Sequence, residues 1–225
     1  MGLSLLSIEL CGQTVLEKLI LTKESDTTFW KTYYMPKFKR LDLINQNENI
    51  DFLRVGSPKY ILELSDKTNR VVVYAAEIWE DRQTGYYFSK SFELDPKQVI
   101  EIEQLIDSLD ILSIPSDRFI KGWSSGFDGI TYFIEEKKDH QYSFKTYWTP
   151  SAQPDLKEAK TLSDFADKRL DRVIDCEGKR KLFEQEIPFY GWAYNGSITT
   201  IKVITDRKVF RKYKREKKKQ LKQQL

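Results

Sequence analysis

GFDGITYFIEEKKDHQYSFKTYWTP, residues 126–150, is the stretch that decides the fold. Apolar and polar residues alternate on both sides of a polar centre, which is the period of two antiparallel strands. With a loop at Glu136–His140, Ile134 faces Tyr142, Tyr132 faces Phe144, Ile130 faces Thr146 and Asp128 faces Trp148. One face of that hairpin is then apolar and aromatic, as cross-strand pairing favours. The other carries Thr131, Glu135, Ser143 and Lys145, with Phe133 and Tyr147 among them. The expectation is a half-buried hairpin, with Phe133 and Tyr147 turned toward solvent.

Upstream, Tyr60–Ser65, Arg70–Glu80 and Tyr86–Leu94 read as a three-strand meander with turns at Asp66–Asn69 and Gln83–Gly85, both built from turn-forming residues. Asp95-Pro96 then opens a helix, Asp as the cap and Pro at the first helical position. Val99, Ile102, Leu105, Ile106 and Leu109 give this helix an apolar stripe. Downstream of the hairpin a second helix starts near Asp155, striped by Leu156, Ala159, Leu162, Ala166, Leu170 and Val173. Lys179–Glu186 adds a short helical turn. Asn195-Gly196 joins a last strand pair, the strongest two-residue hairpin signal. Residues 14–55 give no clear periodicity.

Strands in runs with helices between them, and no regular βαβ alternation, predict an α+β fold. Its antiparallel sheet is built from a meander and hairpins, with two main helices packed on one face. The order strands–helix, strands–helix has the look of a loose duplication of topology. Residues 14–205 form one globular domain, 206–225 a basic helical or disordered tail, and 1–13 either a first strand or the remnant of a signal peptide. Glu9 inside the apolar stretch and the lack of a basic start oppose the signal reading. The balance nevertheless leans slightly to export.

Composition bounds the chemistry. Aromatics make up 13% of the 225 residues, suiting a sheet core. The net charge of +3 conceals an asymmetry: from Asp206 onward there are ten Lys/Arg against two acids, leaving 27 basic and 32 acidic residues in the rest. One His and two distant Cys, Cys11 and Cys176, argue against a metal centre and against a disulfide framework. No cofactor motif is present. Gly122–Gly129 (GWSSGFDG) lacks the Lys-Ser/Thr ending of a phosphate loop and precedes a strand.

The pattern Asp128-Gly129-x-x-Tyr132-x-Ile134-Glu135, then Tyr142 and Trp148-x-Pro150, resembles a hairpin recurrent in uncharacterised bacterial proteins, many of them exported. The resemblance covers about residues 95–175. It implies a bacterial source and supports the fold; it implies no catalytic residue.

Asp128, opposite Trp148, is a carboxylate with aromatic neighbours, weighed against a plain Asp-Gly turn. Trp123, Phe133, Tyr147 and Trp148 are the aromatic binding candidates, weighed against a role in the core. Glu135 and Glu136, as strand neighbours, point to opposite faces and cannot act as a pair. His140 reads as an exposed turn residue. Arg207, Lys208, Arg211, Lys212, Lys214, Arg215, Lys217, Lys218 and Lys219 are candidate anion contacts on the tail, weighed against simple solubilising charge. No motif names a reaction. The preferred reading is a non-enzymatic binding or interaction module using aromatic sheet surface, for a protein or small-ligand partner. The alternatives are an enzyme with a carboxylate site near Asp128, and weak association of the tail with nucleic acid or an anionic surface.

Overall fold

A computed structural model describes residues 20–26, 29–79, 82–126, 128–187, 191–194, 198–201 and 206–222. The expected first strand or signal remnant at 1–13 lies outside these residues, as do Asn195 and Gly196 of the last hairpin turn. The elements run β1 (Ile20–Leu21), α1 (Phe29–Arg40), β2 (Phe52–Gly56), β3 (Tyr60–Ser65), β4 (Asn69–Trp79), β5 (Arg82–Glu93) and α2 (Pro96–Ser108). Then follow β6 (Thr131–Lys138), β7 (Gln141–Trp148) and α3 (Lys157–Ser163). A π-helical stretch, Asp164–Leu170, continues α3 into α4 (Asp171–Val173). The chain ends with α5 (Cys176–Glu186), β8 (Gly191–Tyr194), β9 (Ile198–Ile201) and α6 (Arg207–Lys222).

The fold is α+β. A single sheet runs β1-β7-β6-β2-β3-β4, antiparallel except for the parallel β1–β7 pair. β5 lines the far edge of β4, and β8 pairs with β4 at residues 76–78, past the Asn69–Val73 segment taken by β3. The meander follows its sequence pattern except at its second turn: Gln83–Gly85, expected as the turn, lies within β5, whose pairing with β4 runs on to Ile78–Gln83 and Trp79–Arg82. Asp95 caps α2 as a full capping box, its carboxylate accepting from Gln98 N while Gln98 Oε1 accepts from Asp95 N.

The β6–β7 hairpin departs from expectation in both register and exposure. Lys138 pairs with Gln141, so the turn is only Asp139-His140, both at positive φ, and Tyr132 faces Tyr147 while Glu135 faces Phe144. The pairing is shifted by three residues from the one that the alternation predicts. An odd shift exchanges faces between the two strands. Nor is the hairpin half-buried. Both of its faces are covered, and Glu135 and Lys145, expected in solvent, are buried with Phe144.

The cause is a core on each face of the sheet. On one, Tyr60, Leu62, Val71, Val73, Ile134 and Tyr147 meet Ile102 and Ile106 of α2 and Leu162, Phe165, Leu170 and Phe183 of the later helices. Both helices expected from their stripes lie here. On the other, Ile61, Val72, Tyr74, Phe133 and Phe144 meet Tyr34 and Phe38 of α1 and the Leu41–Ile44 segment. That second cover comes from residues 14–55, where no period was legible.

Across the middle of the second face runs a row of charges. Glu135, Arg54, Glu63, Arg70 and Glu93 are register partners on β6, β2, β3, β4 and β5. Arg54 is 1% exposed and Glu63 0%. The Arg54 guanidinium bonds Glu63 Oε2 at 2.7 Å, bonds Glu135, and donates to the Ile44 carbonyl at 2.8 Å. Glu63 also accepts from Ile44 N at 3.0 Å and from Arg70 Nη2 at 2.8 Å, and Arg70 reaches the Asp42 carbonyl. The Tyr142 hydroxyl donates to Glu135 Oε1 at 2.7 Å. The rings of Phe38 and Phe52 lie 4.9 and 4.6 Å from the guanidinium. Burial opposes the Arg54 charge, yet Glu135 and Glu63 beside it hold its pKa above the usual value. Arg54→Met should take from buried Glu135 its ion-pair partner and leave Glu63 with Arg70 alone, at a cost of about 3–5 kcal/mol, read as a lowered denaturation midpoint with the slope unchanged.

Lys37 on α1 is 5% exposed, and its ammonium lies 4.8–5.8 Å from the ring centroids of Tyr34, Tyr74, Tyr33 and Tyr87. Burial pulls its pKa down to about 8, against ~10.4 in an unfolded chain. Between those values the unfolded chain holds a proton the folded one has shed, so this residue's contribution to stability rises with pH. Denaturant titrations at about pH 7.5 and 9.5 should show wild type gaining stability relative to Lys37→Met over that interval.

Candidate functional site

The aromatic candidates of the hairpin are largely structural. Phe133 is buried with its ring 4.7 Å from that of Tyr34 and 5.2 Å from that of Phe38, on the face where Gly56 leaves room for it. Tyr147 is buried and donates its hydroxyl to the Ile114 carbonyl at 2.8 Å. The expected exposure of both is therefore corrected: each lies under one of the two helical covers. Trp148 rests on the glycine loop, where a Cβ at Gly129 would come within 2.6 Å of its Nε1. Trp123 donates its indole N–H to the Trp148 carbonyl at 2.9 Å and pins that loop from the other side. Asp128 is exposed at the loop. His140, also exposed, occupies the hairpin turn, beside a broad polar depression lined by Asn49, Asp51, Asp66, Lys67 and Lys137.

A more closed cleft of about 420 Å³ opens beside Asp128, with Gly129 on its rim. Its walls are the β2–β3 turn (Ser57, Pro58, Lys59), Ile130 and Tyr132 at the start of β6, Asp167 and Asp171 on the helical side, Arg180 of α5 and Tyr194 of β8. The π-helical stretch turns Phe165, Ala166 and Leu170 into the core. Asp167 and the following Asp171, four residues apart, are left lining the cleft with the β2–β3 turn and the start of β6. Single π turns inside helices recur at functional sites.

The polar groups of the cleft are held in place. The Tyr132 hydroxyl donates to Asp167 Oδ1, whose other oxygen accepts from Ser163 Oγ at 3.0 Å. Lys59 Nζ lies 3.3 Å from Asp171 Oδ2. Tyr194 donates to Glu184 Oε1 at 2.9 Å, and the Arg180 guanidinium is 6.0 Å from the Tyr194 ring. Burial raises the pKa of Asp171, only partly offset by Lys59. Burial, then the bond to Asp167, pushes the Tyr132 hydroxyl up, and burial does the same to wholly buried Tyr60 beneath. Ile130, 43% exposed, supplies bare apolar wall. Two carboxylates, two cations and a mainly apolar lining suit retention of an amphipathic ligand.

Lys59 and Asp171 stand 112 positions apart in the chain, so no local motif could have announced the pair. Only the Asp128-Gly129 neighbourhood was within reach of sequence reasoning, through its proximity to Ile130.

The tail takes the helical form of the two that the sequence allowed, and departs from expectation in being docked. Asp206 caps it, accepting from Lys208 N at 2.7 Å and Val209 N at 3.1 Å, and the helix runs over Arg207–Lys222. It docks on the sheet. Lys217, counted from sequence among the anion contacts, is 2% exposed, paired with Glu77 of β4 and 4.5 Å from the Tyr86 ring centroid. Tyr213 reaches the other Glu77 oxygen at 3.3 Å. Lys217 is thus an anchor, because a lysine turned inward here neutralises a carboxylate the sheet buries. Arg207, Lys208, Arg211, Lys212, Lys214, Arg215, Lys218 and Lys219 remain exposed.

Among the described residues no group of His, Cys, Asp and Glu is arranged to hold a metal ion, and no helix is long and apolar enough to cross a membrane. Compared with protein-family models, curated proteins and solved structures, the chain matches none.

Cys176 borders the depression that continues the cleft along Asp171 and Arg180. Burial, then the neighbouring Asp171 charge, pushes its thiol up to about 11. In a Cys11→Ser background it should resist alkylation at about pH 8 in the native state and react fully once the chain is unfolded.

Proposed function

We propose that this protein is a non-enzymatic binding module whose ligand occupies the cleft between the β2–β3 turn, the start of β6 and the π-helical stretch. The observation that carries this reading is the meeting of an apolar wall, Pro58, Ile130 and Tyr194, with two fixed carboxylates, Asp167 and Asp171. Such a site suits a small molecule with an aliphatic or aromatic body and an amine or hydroxyl donor, the body on Ile130 and the donor toward the carboxylates. Binding is favoured over catalysis by the state of the groups present. The thiol next to the cleft is kept protonated by burial, which opposes a nucleophilic role. The Tyr132 hydroxyl is committed to Asp167 and the Lys59 ammonium to Asp171. The reading keeps the binding module favoured from the sequence and moves it from the aromatic sheet surface to the cleft, since Phe133 and Tyr147 are buried.

The test is a thermal-shift screen of the full chain against small amphipathic amines and alcohols, followed by calorimetry on the best compound. Ile130→Glu and Asp171→Asn should each weaken that compound at least about tenfold, equivalent to ~1.4 kcal/mol, with little change in the melting temperature of the free protein. A compound whose affinity ignores both substitutions would overturn the assignment of the site.

A further inference from the structure

Helix α6 has two unlike faces. The inner one docks through Tyr213 and Lys217 on Glu77, a carboxylate that also accepts from Thr84 Oγ1 at 2.5 Å. Opposite Lys217, at helical spacing, lie Lys208, Arg211, Lys212, Arg215, Lys219 and Lys222, all exposed. Five of these, all but Lys222, line one shared depression in which Glu216 is the single acid. The helix has 16 residues, a length of about 24 Å. The buried pair prevents this row from behaving as a loose charged tail: it holds one side of the helix against β4 and leaves the cationic side outward.

We propose that the outer face of α6 is a binding surface for the phosphate backbone of double-stranded nucleic acid. Charge complementarity carries the choice. A duplex presents one negative charge per ~1.7 Å of axis, and a row of fixed Lys and Arg displaces its condensed counterions. Arg adds the planar fork that matches phosphate oxygens. An anionic membrane surface fits less well, because an interfacial helix needs an apolar face to bury in lipid. The outward side here carries charge, and the Tyr213–Lys217 side is turned to the sheet. Single strands fit less well too, since their binding relies on aromatic stacking platforms, and no aromatic lies in the outward row. The surface is separate from the cleft and independent of its ligand.

The test uses the full-length protein, a fluorescent duplex of about 20 base pairs and anisotropy between about 50 and 200 mM salt. With about five phosphate contacts the slope of log affinity against log salt should be near −4.5. The quadruple variant R211Q/K212Q/R215Q/K219Q should bind at least about 100-fold more weakly at the lower salt with a nearly flat slope, and its thermal unfolding should match wild type. Glu77→Gln separates position from charge. It makes the protein more positive, so charge alone predicts equal or tighter binding, whereas loss of the clamp predicts binding several-fold weaker. No salt-sensitive retention of the duplex overturns the proposal. So does a quadruple variant with undiminished affinity, Glu77→Gln binding as tightly as wild type, or stronger binding to phosphatidylglycerol-containing vesicles than to the duplex.

Discussion

The alternating charges on the second face of the sheet, Glu135–Arg54–Glu63–Arg70, are the constraint on which the rest of the structure depends. Each is buried or half-buried in an otherwise aromatic layer, so each needs its opposite-sign partner on the next strand. A slip of any one strand by one residue would send its charge to the opposite face and leave the neighbours unpaired. Hydrophobic burial is indifferent to such slips here, because both faces are apolar. The charges are what make the order β6-β2-β3-β4 and its register unique. The same atoms tie down the loop after α1, since Arg54 and Glu63 hold the backbone of Ile44 and Arg70 that of Asp42.

With the sheet fixed, the helices fall to its two sides for ordinary reasons of area. α2 and the α3–α5 run cover one face with Ile102, Ile106, Phe165 and Leu170, while α1 covers part of the other with Tyr34 and Phe38. The cleft is a by-product of how the first cover ends. Where the π-helical stretch passes the start of β6, Leu170 and Phe165 turn inward, while Asp167 between them and Asp171 just after remain at the seam beside Tyr132 and Lys59. The seam is lined by groups from five separate parts of the chain, each held by a neighbour. That rigidity suits retention of a ligand without rearrangement.

The C-terminal helix applies the logic of the charged row on a smaller scale. The buried carboxylate of Glu77 on β4 accepts hydrogen bonds from Thr84 and Tyr213, and Lys217 supplies its charge partner from 140 residues away. One inward lysine thereby converts a stretch of very high charge, which by composition alone resembles a solvated tail, into a docked element with a defined outward side.

What the sequence determined by itself was whatever rests on short-range rules. Strands β3 to β5 follow from alternation and turn residues, α2 from Asp95-Pro96 and its stripe, and the α+β class from the order of these elements. The charge asymmetry of the tail was equally plain. Tertiary structure decided the rest. The β6–β7 register could not be read because alternation selects a register only when one face is wet, and here Phe133 and Tyr147 are buried on opposite faces. The tight turn at Asp139-His140 lacks the glycine that normally marks two positive φ angles. β2 was invisible because it is five residues long with an arginine at its centre, a pattern that makes sense only between Glu63 and Glu135. The cleft and the Lys217 anchor depend on pairs separated by more than a hundred residues, and no local period encodes a contact that only folding brings together.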